Sequence, residues 1–220
     1  DLKSANAGSV VMCGNLFHSA FMKTSVISDG FRKRYLSDPK DPDAFVGRAI
    51  VFEGPEDYHA RIDDPKLNID EGCILVMRNC GPLSYPGSAE VVNMQPPTAL
   101  LKRGTRSLPT LGDGRQSGTA DSPSIVNAAP EAAAGGNLAI LRTGDRIRVD
   151  LRKARVDVLI SDEEIAARRK ALPPPMLENQ TPWQELYRST VGQLDRGGCL
   201  EAALKYQDLV HLRGLPRHSH

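Results

Sequence analysis

Two runs of alternating apolar and polar residues constrain the fold of this chain more than any other feature. I-R-V-D-L at residues 147–151 and V-D-V-L-I at residues 156–160 place apolar side chains at every second position. Side chains of a β-strand alternate between its two faces, so this spacing is typical of strands with one face in a core. Because only R-K-A-R joins the two runs, the sequence predicts an antiparallel hairpin.

Shorter apolar runs predict further strands elsewhere in the chain. Each run is bounded by glycine, proline or polar turn residues, which end regular structure. These predicted strands cover residues 49–52, 73–77, 107–111 and 137–141.

Helices are predicted mainly from their start signals. Ser161 and Thr181 begin the patterns S-D-E-E and T-P-W-Q, in which a hydroxyl caps the first helical turn. These patterns predict two closing helices, which the stiff P-P-P segment at residues 173–175 separates. Three more helical segments are predicted earlier, at residues 29–36 after a serine cap, at 56–62, and at 89–103 with an interruption by two prolines.

Short strands followed by helices are typical of an α+β domain, here built on a small barrel or a curled sheet. A length of 220 residues with 40% apolar residues supports a core of ordinary size. We therefore expect one domain over residues 1–220, with a lead-in segment at 1–48, a β-rich core at 49–160, and C-terminal helices with a tail at 161–220.

Charge and hydropathy argue against two classes of partner. The 28 basic and 27 acidic residues nearly cancel and form no basic stripe, so no nucleic-acid partner is predicted. No apolar run reaches the roughly 20 residues that cross a bilayer, so no membrane partner is predicted. The chain begins at Asp1 and shows no signal peptide, from which we expect a piece of a larger cytoplasmic protein, with mitochondria as the alternative location.

The four cysteines, Cys13, Cys73, Cys80 and Cys199, show neither C-x-x-C nor zinc-like spacing. They also form no ferredoxin-like run. A chain of this length needs no disulfides for stability, so we expect reduced thiols that hold no metal by themselves.

Two glycine-rich loops, each following a predicted strand, are the candidates for chemistry. The first, G-P-L-S-Y-P-G-S at residues 81–88, leads to Glu90, and the second, G-D-G-R-Q-S-G-T at residues 112–119, contains Ser117. If the two strands are neighbours, both loops can open at one end of the sheet, on a rigid scaffold. A carboxylate suits Mg²⁺, and a serine acts as a base only where a cation stabilises its alkoxide. A metal site would therefore give both residues a role.

Both residues also have an interpretation that involves no chemistry. Gly-Asp-Gly followed by a serine is a common turn composition, and Glu90 could simply favour a helix N-terminus through the helix dipole. The second loop is neither a phosphate-binding P-loop nor a G-x-S-x-G elbow. Spacing alone leaves these alternatives open.

Several longer stretches resemble one known family and occur in the family's order. They are I-L-V-M-R-N-C-G-P-L-S-Y-P-G-S-A-E-V-V-N-M at residues 74–94, G-D-G-R-Q-S-G-T at 112–119 and G-G-N-L-A-I-L-R-T-G-D-R-I-R-V-D at 135–150. The chain resembles the dihydroxy-acid and sugar-acid dehydratase family over nearly its whole length. T-P-W-Q-E at residues 181–185 and G-L-P-R at 214–217 are similar to the pentonate and hexonate branch, such as arabinonate or xylonate dehydratases.

This resemblance implies a swivelling β-barrel-like C-terminal domain with flanking helices. It also implies dehydration of a 2,3-dihydroxy sugar acid to a 2-keto-3-deoxy acid, in a full-length protein that forms a homo-oligomer. An iron–sulfur cluster and Mg²⁺ would lie between two domains. The N-terminal domain would supply the cluster cysteines and most Mg²⁺ ligands, so the isolated chain would be inactive.

The resemblance also implies roles for individual residues. Ser117 matches the serine proposed as the base, and Glu90 matches a glutamate that ligates Mg²⁺. Thr119, Tyr85 and His220 are candidates for substrate binding. Thr119 could instead stabilise a turn, and His220 could belong to a frayed terminus.

The sequence also permits a second class of function. The same residues could form a folded binding or assembly module without catalytic activity, because the chain carries no cluster site of its own. A parent chain with several hundred preceding residues and three spaced cysteines would favour the enzyme.

Overall fold

An eight-stranded mixed sheet, curled into a nearly closed barrel, forms the centre of the protein. The computed structural model describes residues 8–117, 123–175 and 177–206. The strands are β1 (Val10–Met12), β2 (Ser19–Met22), β3 (Ala44–Glu53), β4 (Cys73–Arg78), β5 (Thr110–Gly112), β6 (Ile125–Ala129), β7 (Arg146–Asp150) and β8 (Arg155–Val158). Their order is β1-β2-β6-β5-β4-β3-β7-β8. Strands β3 to β6 pair in parallel, and the remaining pairs are antiparallel.

The first and last strands of that order meet at Cys13, which brings the two edges of the sheet together. The Cys13 amide donates a hydrogen bond to the Ala154 carbonyl at 2.9 Å, and the Val156 amide donates to the Cys13 carbonyl at 2.8 Å. A barrel of this kind leaves few unpaired strand edges. The α+β, barrel-like architecture expected from the sequence is therefore confirmed.

The predicted hairpin is present as β7 and β8. Ile147 pairs with Val158, and Val149 pairs with Val156. All four side chains are at most 1% exposed and belong to the main core. The alternation thus predicted both the pairing and the buried face.

Strand β4 is buried on both faces, which explains its continuous apolar sequence. Ile74 and Val76 pack in the main core, whereas Cys73, Leu75 and Met77 pack in a second cluster. The neighbouring strand β3 divides its side chains in the same way. The strands predicted at residues 49–52 and 73–77 are confirmed, and the one at 107–111 is present as the shorter β5.

Six α-helices accompany the sheet in the described residues. They are α1 (Asp29–Tyr35), α2 (Pro55–Arg61), α3 (Thr98–Lys102), α4 (Asp162–Lys170), α5 (Pro182–Thr190) and α6 (Glu201–Leu204). The predicted caps are present, since Ser28, Ser161 and Thr181 each accept a hydrogen bond from a backbone amide in the first turn of α1, α4 and α5.

Two predicted elements are wrong. Residues 137–141 are not a strand, because Asn137–Ile140 forms a 3₁₀ helix. Residues 89–103 are helical only at Thr98–Lys102. The segment before that helix is held instead by the second glycine-rich loop, where the Val92 amide donates to the Arg115 carbonyl at 3.3 Å. A long-range contact of this kind leaves no periodic pattern in the sequence.

Two strands of the barrel, β1 and β2, lie in the segment that the sequence indicates only as a lead-in, and β3 also begins there. With 3 and 4 residues, β1 and β2 are too short to show a convincing alternation. The β-rich part of the protein therefore extends beyond residues 49–160.

None of the helices in the described ranges is both long and apolar enough to span a lipid bilayer.

Candidate active site

The two glycine-rich loops open at the same edge of the sheet, because β4 and β5, which precede them, are parallel neighbours. Leu75 pairs with Thr110, and the register continues to the ends of both strands. Beyond the strands the loops stay in contact, since Glu90 and Arg115 form an isolated parallel bridge. The neighbouring strands that the sequence analysis requires are therefore present.

Arg115 is the residue that joins the two loops. Its carbonyl accepts from the Val92 amide at 3.3 Å. Its guanidinium donates to the Ser88 carbonyl at 2.8 Å and to the Glu90 carboxylate at 2.5 Å. The Glu90 and Arg115 side chains are each about half exposed. The Glu90 carboxylate therefore lies beside the loop that carries Ser117.

Gly114 allows the loops to approach each other this closely. A Cβ atom at this position would lie 2.9 Å from the Cys80 Cβ and 3.0 Å from the Ala89 carbonyl oxygen. Both atoms belong to the segment that leads from β4 to Glu90. The glycine is thus required by backbone proximity and not only by turn formation.

Asp113, which directly follows β5, is a fully buried carboxylate that holds three segments together. It accepts hydrogen bonds from the backbone amides of Asn79 at 3.2 Å, Cys80 at 2.9 Å and Ala132 at 2.9 Å. Burial raises the pKa of the Asp113 carboxyl from 3.8 to about 6, although the donating amides act in the opposite direction. No local pattern in the sequence marks this residue as functional.

Glu131 is a second fully buried carboxylate, and it holds the first loop from the other side. It accepts from the backbone amides of Leu83 at 2.9 Å and Ser84 at 3.1 Å, and from the Ser84 hydroxyl at 3.0 Å. The Gln193 side-chain amide also donates to it at 2.8 Å. Its position in the apolar stretch A-A-P-E-A-A-A was the one available sign that this acid is buried.

Ser117 lines a cleft of about 440 Å³ beside the second loop. The side chain is half-buried, so it is neither sealed in the core nor fully exposed. Two basic residues, Lys23 and Arg115, and no acidic residue are among the described residues that line this cleft. Because the Arg115 charge is offset by its ion pair with Glu90, any attraction for an anionic ligand comes mainly from Lys23.

A larger cleft of about 690 Å³ lies elsewhere, and it is lined by Glu53, Arg78 and a proline run, among others. Its main charged group is already used, because Arg78 binds the Glu53 carboxylate and donates to the Leu138 and Leu141 carbonyls, both at 3.0 Å. We place the candidate site at the smaller cleft, which carries Ser117 and lies beside the Glu90–Arg115 bridge.

The three predicted substrate-binding residues differ in what the structure shows. Tyr85 lies in the first loop and is 42% exposed. Its amide donates to the Gly81 carbonyl at 2.9 Å, which forms a turn. Thr119 and His220 lie outside the described residues. Substrate binding by all three stays a prediction.

The described residues do not form a complete metal site. No three histidine, cysteine, aspartate or glutamate side chains converge within the described ranges. Cys73 and Cys80 are buried, Cys13 and Cys199 are exposed, and all four are free thiols. Glu90 offers one accessible carboxylate, which suits a single oxygen ligand of Mg²⁺. No cluster-binding set is present among these residues.

Comparisons with known proteins agree with the resemblance seen in the motifs. The sequence profile of the family described as dihydroxy-acid/6-phosphogluconate dehydratase C-terminal matches residues 2–198. The chain is 61% identical over 214 residues to a D-xylonate dehydratase of Caulobacter vibrioides, which covers 97% of the chain. It is 44% identical to an L-arabinonate dehydratase of Rhizobium leguminosarum over 75% of the chain, and 36% identical to a dihydroxy-acid dehydratase of Methanoregula boonei over 80%.

The chain spans about a third of the length of these relatives, namely 36%, 27% and 31% of the three proteins. The family profile, by contrast, covers most of the chain. The chain therefore belongs to the dihydroxy-acid/6-phosphogluconate dehydratase C-terminal family.

Proposed function

We propose that this chain is the C-terminal part of an enzyme that removes water from a 2,3-dihydroxy sugar acid and yields a 2-keto-3-deoxy acid. The observation that carries the proposal is the meeting of the Glu90 and Ser117 loops at one edge of the sheet, beside a basic cleft. The names of the similar proteins, a D-xylonate and an L-arabinonate dehydratase, support a sugar acid as the substrate.

In this proposal Ser117 is the base. The hydrogen on C2 of the substrate is weakly acidic because C2 is bonded to the carboxylate. The Ser117 oxygen, as an alkoxide, would take this proton while the C3–O bond breaks. The departing hydroxide would take up the proton from Ser117 and leave as water, and the resulting enol would become the ketone. Lys23 in the same cleft favours the binding of an anionic acid, whereas the Arg115 charge is offset by its ion pair with Glu90.

Glu90 would contribute one oxygen ligand to Mg²⁺. When bound, Mg²⁺ supplies positive charge that lowers the cost of an anion at the Ser117 oxygen and at the substrate carboxylate. In the structure Arg115 donates to the Glu90 carboxylate, so the guanidinium occupies a place that suits a cation. The chemistry of this side chain therefore fits the proposed role, although one carboxylate cannot fill a Mg²⁺ shell.

The remaining Mg²⁺ ligands and all ligands of an iron–sulfur cluster would come from the N-terminal part of the same enzyme. The four cysteines of this chain do not fit the cluster, because two are buried in the core and the other two lie near opposite ends of the sequence. We also propose that the full-length protein is a homo-oligomer.

An apolar surface on α5 and α6 is the proposed docking face for that N-terminal part. Trp183 is 77% exposed and Leu186 is 56% exposed on α5, while Leu204 of α6 is 47% exposed. Large exposed apolar side chains are the kind of surface that a docking partner would cover. The inner side of α5 contacts the first loop, because the Arg188 side chain donates to the Leu83 carbonyl at 2.7 Å.

The purified 220-residue chain is expected to show no dehydratase activity and to bind Mg²⁺ only weakly, since it offers one carboxylate where six oxygen ligands are needed. Turnover can be measured by formation of the 2-keto product, and Mg²⁺ binding by calorimetry. Turnover of a sugar acid by this chain alone would contradict the proposed dependence on a second part.

The proposed function itself is tested on the full-length protein, reconstituted with the cluster and Mg²⁺. A screen of pentonates, hexonates and branched dihydroxy acids is expected to reveal turnover of at least one sugar acid. No turnover of any of them, with intact folding, would favour the non-catalytic binding or assembly module.

A further inference from the structure

Two side-chain amides in the Ser117 cleft have buried oxygens without a hydrogen-bond partner. Gln116 directly precedes Ser117, and Asn127 lies on the neighbouring strand β6; all three line the cleft. The Gln116 Oε1 and Asn127 Oδ1 atoms are closed off from bulk water, and neither accepts a hydrogen bond in the described part of the chain.

Buried polar atoms of this kind are rare, because losing water without gaining a partner costs stability. Only four such atoms are found in the described residues, and two of them are these amide oxygens. Both residues line one cleft, and the partner of each oxygen lies outside the described residues, where a bound ligand can supply it.

The chemistry of the cleft limits what this partner can be. An amide oxygen accepts hydrogen bonds, so a carboxylate, which only accepts, cannot satisfy it. An organic ammonium group is a poor candidate, because Lys23 and Arg115 line the same cleft. A neutral hydroxyl group can donate a hydrogen bond to the amide oxygen and accept one from the amide NH₂ group.

The backbone fixes the position of Asn127 without help from its side chain. The Asn127 amide donates to the Gly114 carbonyl at 2.8 Å, which ties β6 to the loop that carries Ser117. The residue has a φ of 56°, in the left-handed region that asparagine tolerates better than most residues. The backbone thus holds this residue in the wall of the cleft.

We propose that Gln116 and Asn127 are specificity-determining residues that hydrogen-bond the hydroxyl groups beyond C3 of a polyhydroxylated acid. This inference rests on the proposed role of Ser117 at C2, since Gln116 is its neighbour in the same cleft. The substrate class is then a pentonate or a longer sugar acid, and not a branched dihydroxy acid with an alkyl end.

The test compares two substrates in the full-length enzyme, reconstituted with the cluster and Mg²⁺. One is a pentonate, and the other is 2,3-dihydroxybutanoate, which has no hydroxyl beyond C3. Gln116→Met keeps the length of the side chain and removes the amide. Asn127→Gly removes the second amide, and glycine accepts the left-handed backbone.

Each variant is expected to lose about tenfold in kcat/KM for the pentonate, which is the effect of one lost hydrogen bond to the substrate. The loss in kcat/KM for 2,3-dihydroxybutanoate should be less than about twofold. If wild type turns over the shorter acid too slowly, its inhibition constant serves instead. The melting temperature of Gln116→Met should equal or exceed that of wild type, because an unpartnered polar group is removed. Gln95→Met, at an exposed residue that does not line the cleft, is the matched control.

An equal loss for both substrates would overturn the inference while leaving the proposed function in place, because the amides would then only shape the Ser117 loop. Unchanged kinetics in both variants would also overturn it. A wild-type enzyme that turns over neither acid nor any other 2,3-dihydroxy acid would contradict the proposed function itself.

Discussion

Replacing Ser117 by alanine is expected to lower kcat of the full-length enzyme by about 10²- to 10⁴-fold, the usual contribution of a positioned base. The side chain lines a basic cleft and is half-buried, so its removal leaves no large cavity in the core. KM for the sugar acid should change little, because the lost interaction acts mainly in the transition state. The melting temperature should stay within a few degrees of wild type.

This result is checked by steady-state kinetics on the reconstituted protein, with iron and Mg²⁺ contents measured in parallel. Ser37→Ala is the matched control, because Ser37 is exposed and its hydroxyl donates only to the Lys33 carbonyl at the end of α1. An unchanged kcat in Ser117→Ala, with full metal content, would remove Ser117 from the role of base. A loss of kcat together with a loss of bound metal would point to a ligand role instead.

The parts of this fold that could be predicted are those with a local signature. The hairpin was predicted because a period of two places Ile147 and Val149 on one face and leaves a short connection. The starts of α1, α4 and α5 were predicted because Ser28, Ser161 and Thr181 cap their first turns. In each case the interacting residues lie close together in the sequence.

Features that depend on distant contacts left no such signature. The meeting of β1 with β8 joins Cys13 to residues more than 140 positions away, and no periodicity records it. The segment before α3 has a helical composition, yet its backbone bonds to Arg115. Tertiary contacts override local propensity in such segments.

In the candidate site, too, residues with a local sequence signature could be predicted and residues that act through distant contacts could not. Glu90 and Ser117 could be named from glycine-rich loops and from motif resemblance. Asp113 and Glu131, the acids that hold those loops, could not be named from the sequence. Their role is to accept hydrogen bonds from backbone amides of remote segments. In the sequence Asp113 is simply the polar residue of a Gly-Asp-Gly turn, and only burial distinguishes it from a solvated aspartate.

Replacing Asp113 by alanine is expected to lower the free energy of unfolding by about 3–5 kcal/mol. Three backbone amides, from Asn79, Cys80 and Ala132, would lose their acceptor inside the protein. Each buried unpaired donor costs roughly 1–3 kcal/mol, and the three effects are not fully additive. The same change should also lower kcat, because the first loop and the β6 turn lose their common attachment to the Ser117 loop. Urea unfolding measures the stability, and initial rates measure the activity.

The conservative change Asp113→Asn separates the charge of this residue from its shape. In the folded protein burial raises the pKa of Asp113 from 3.8 to about 6, so the folded state holds a proton that the unfolded chain has released. The stability from this proton is fully present below pH 4 and is lost as the pH rises through 6. Asparagine cannot titrate. The free energy of unfolding of wild type should therefore fall relative to that of Asp113→Asn by about 2–3 kcal/mol from pH 4 to pH 7. This follows from about 1.4 kcal/mol per pKa unit.

This difference is measured by urea unfolding of wild type and variant over that pH range. Asp195→Asn, at an exposed aspartate, is the control and should leave the pH dependence of wild type unaltered. A constant difference between wild type and Asp113→Asn at all pH values would show that Asp113 does not change protonation in this range. The carboxylate would then be fully compensated by its three amides, and its contribution to the site would be one of geometry alone.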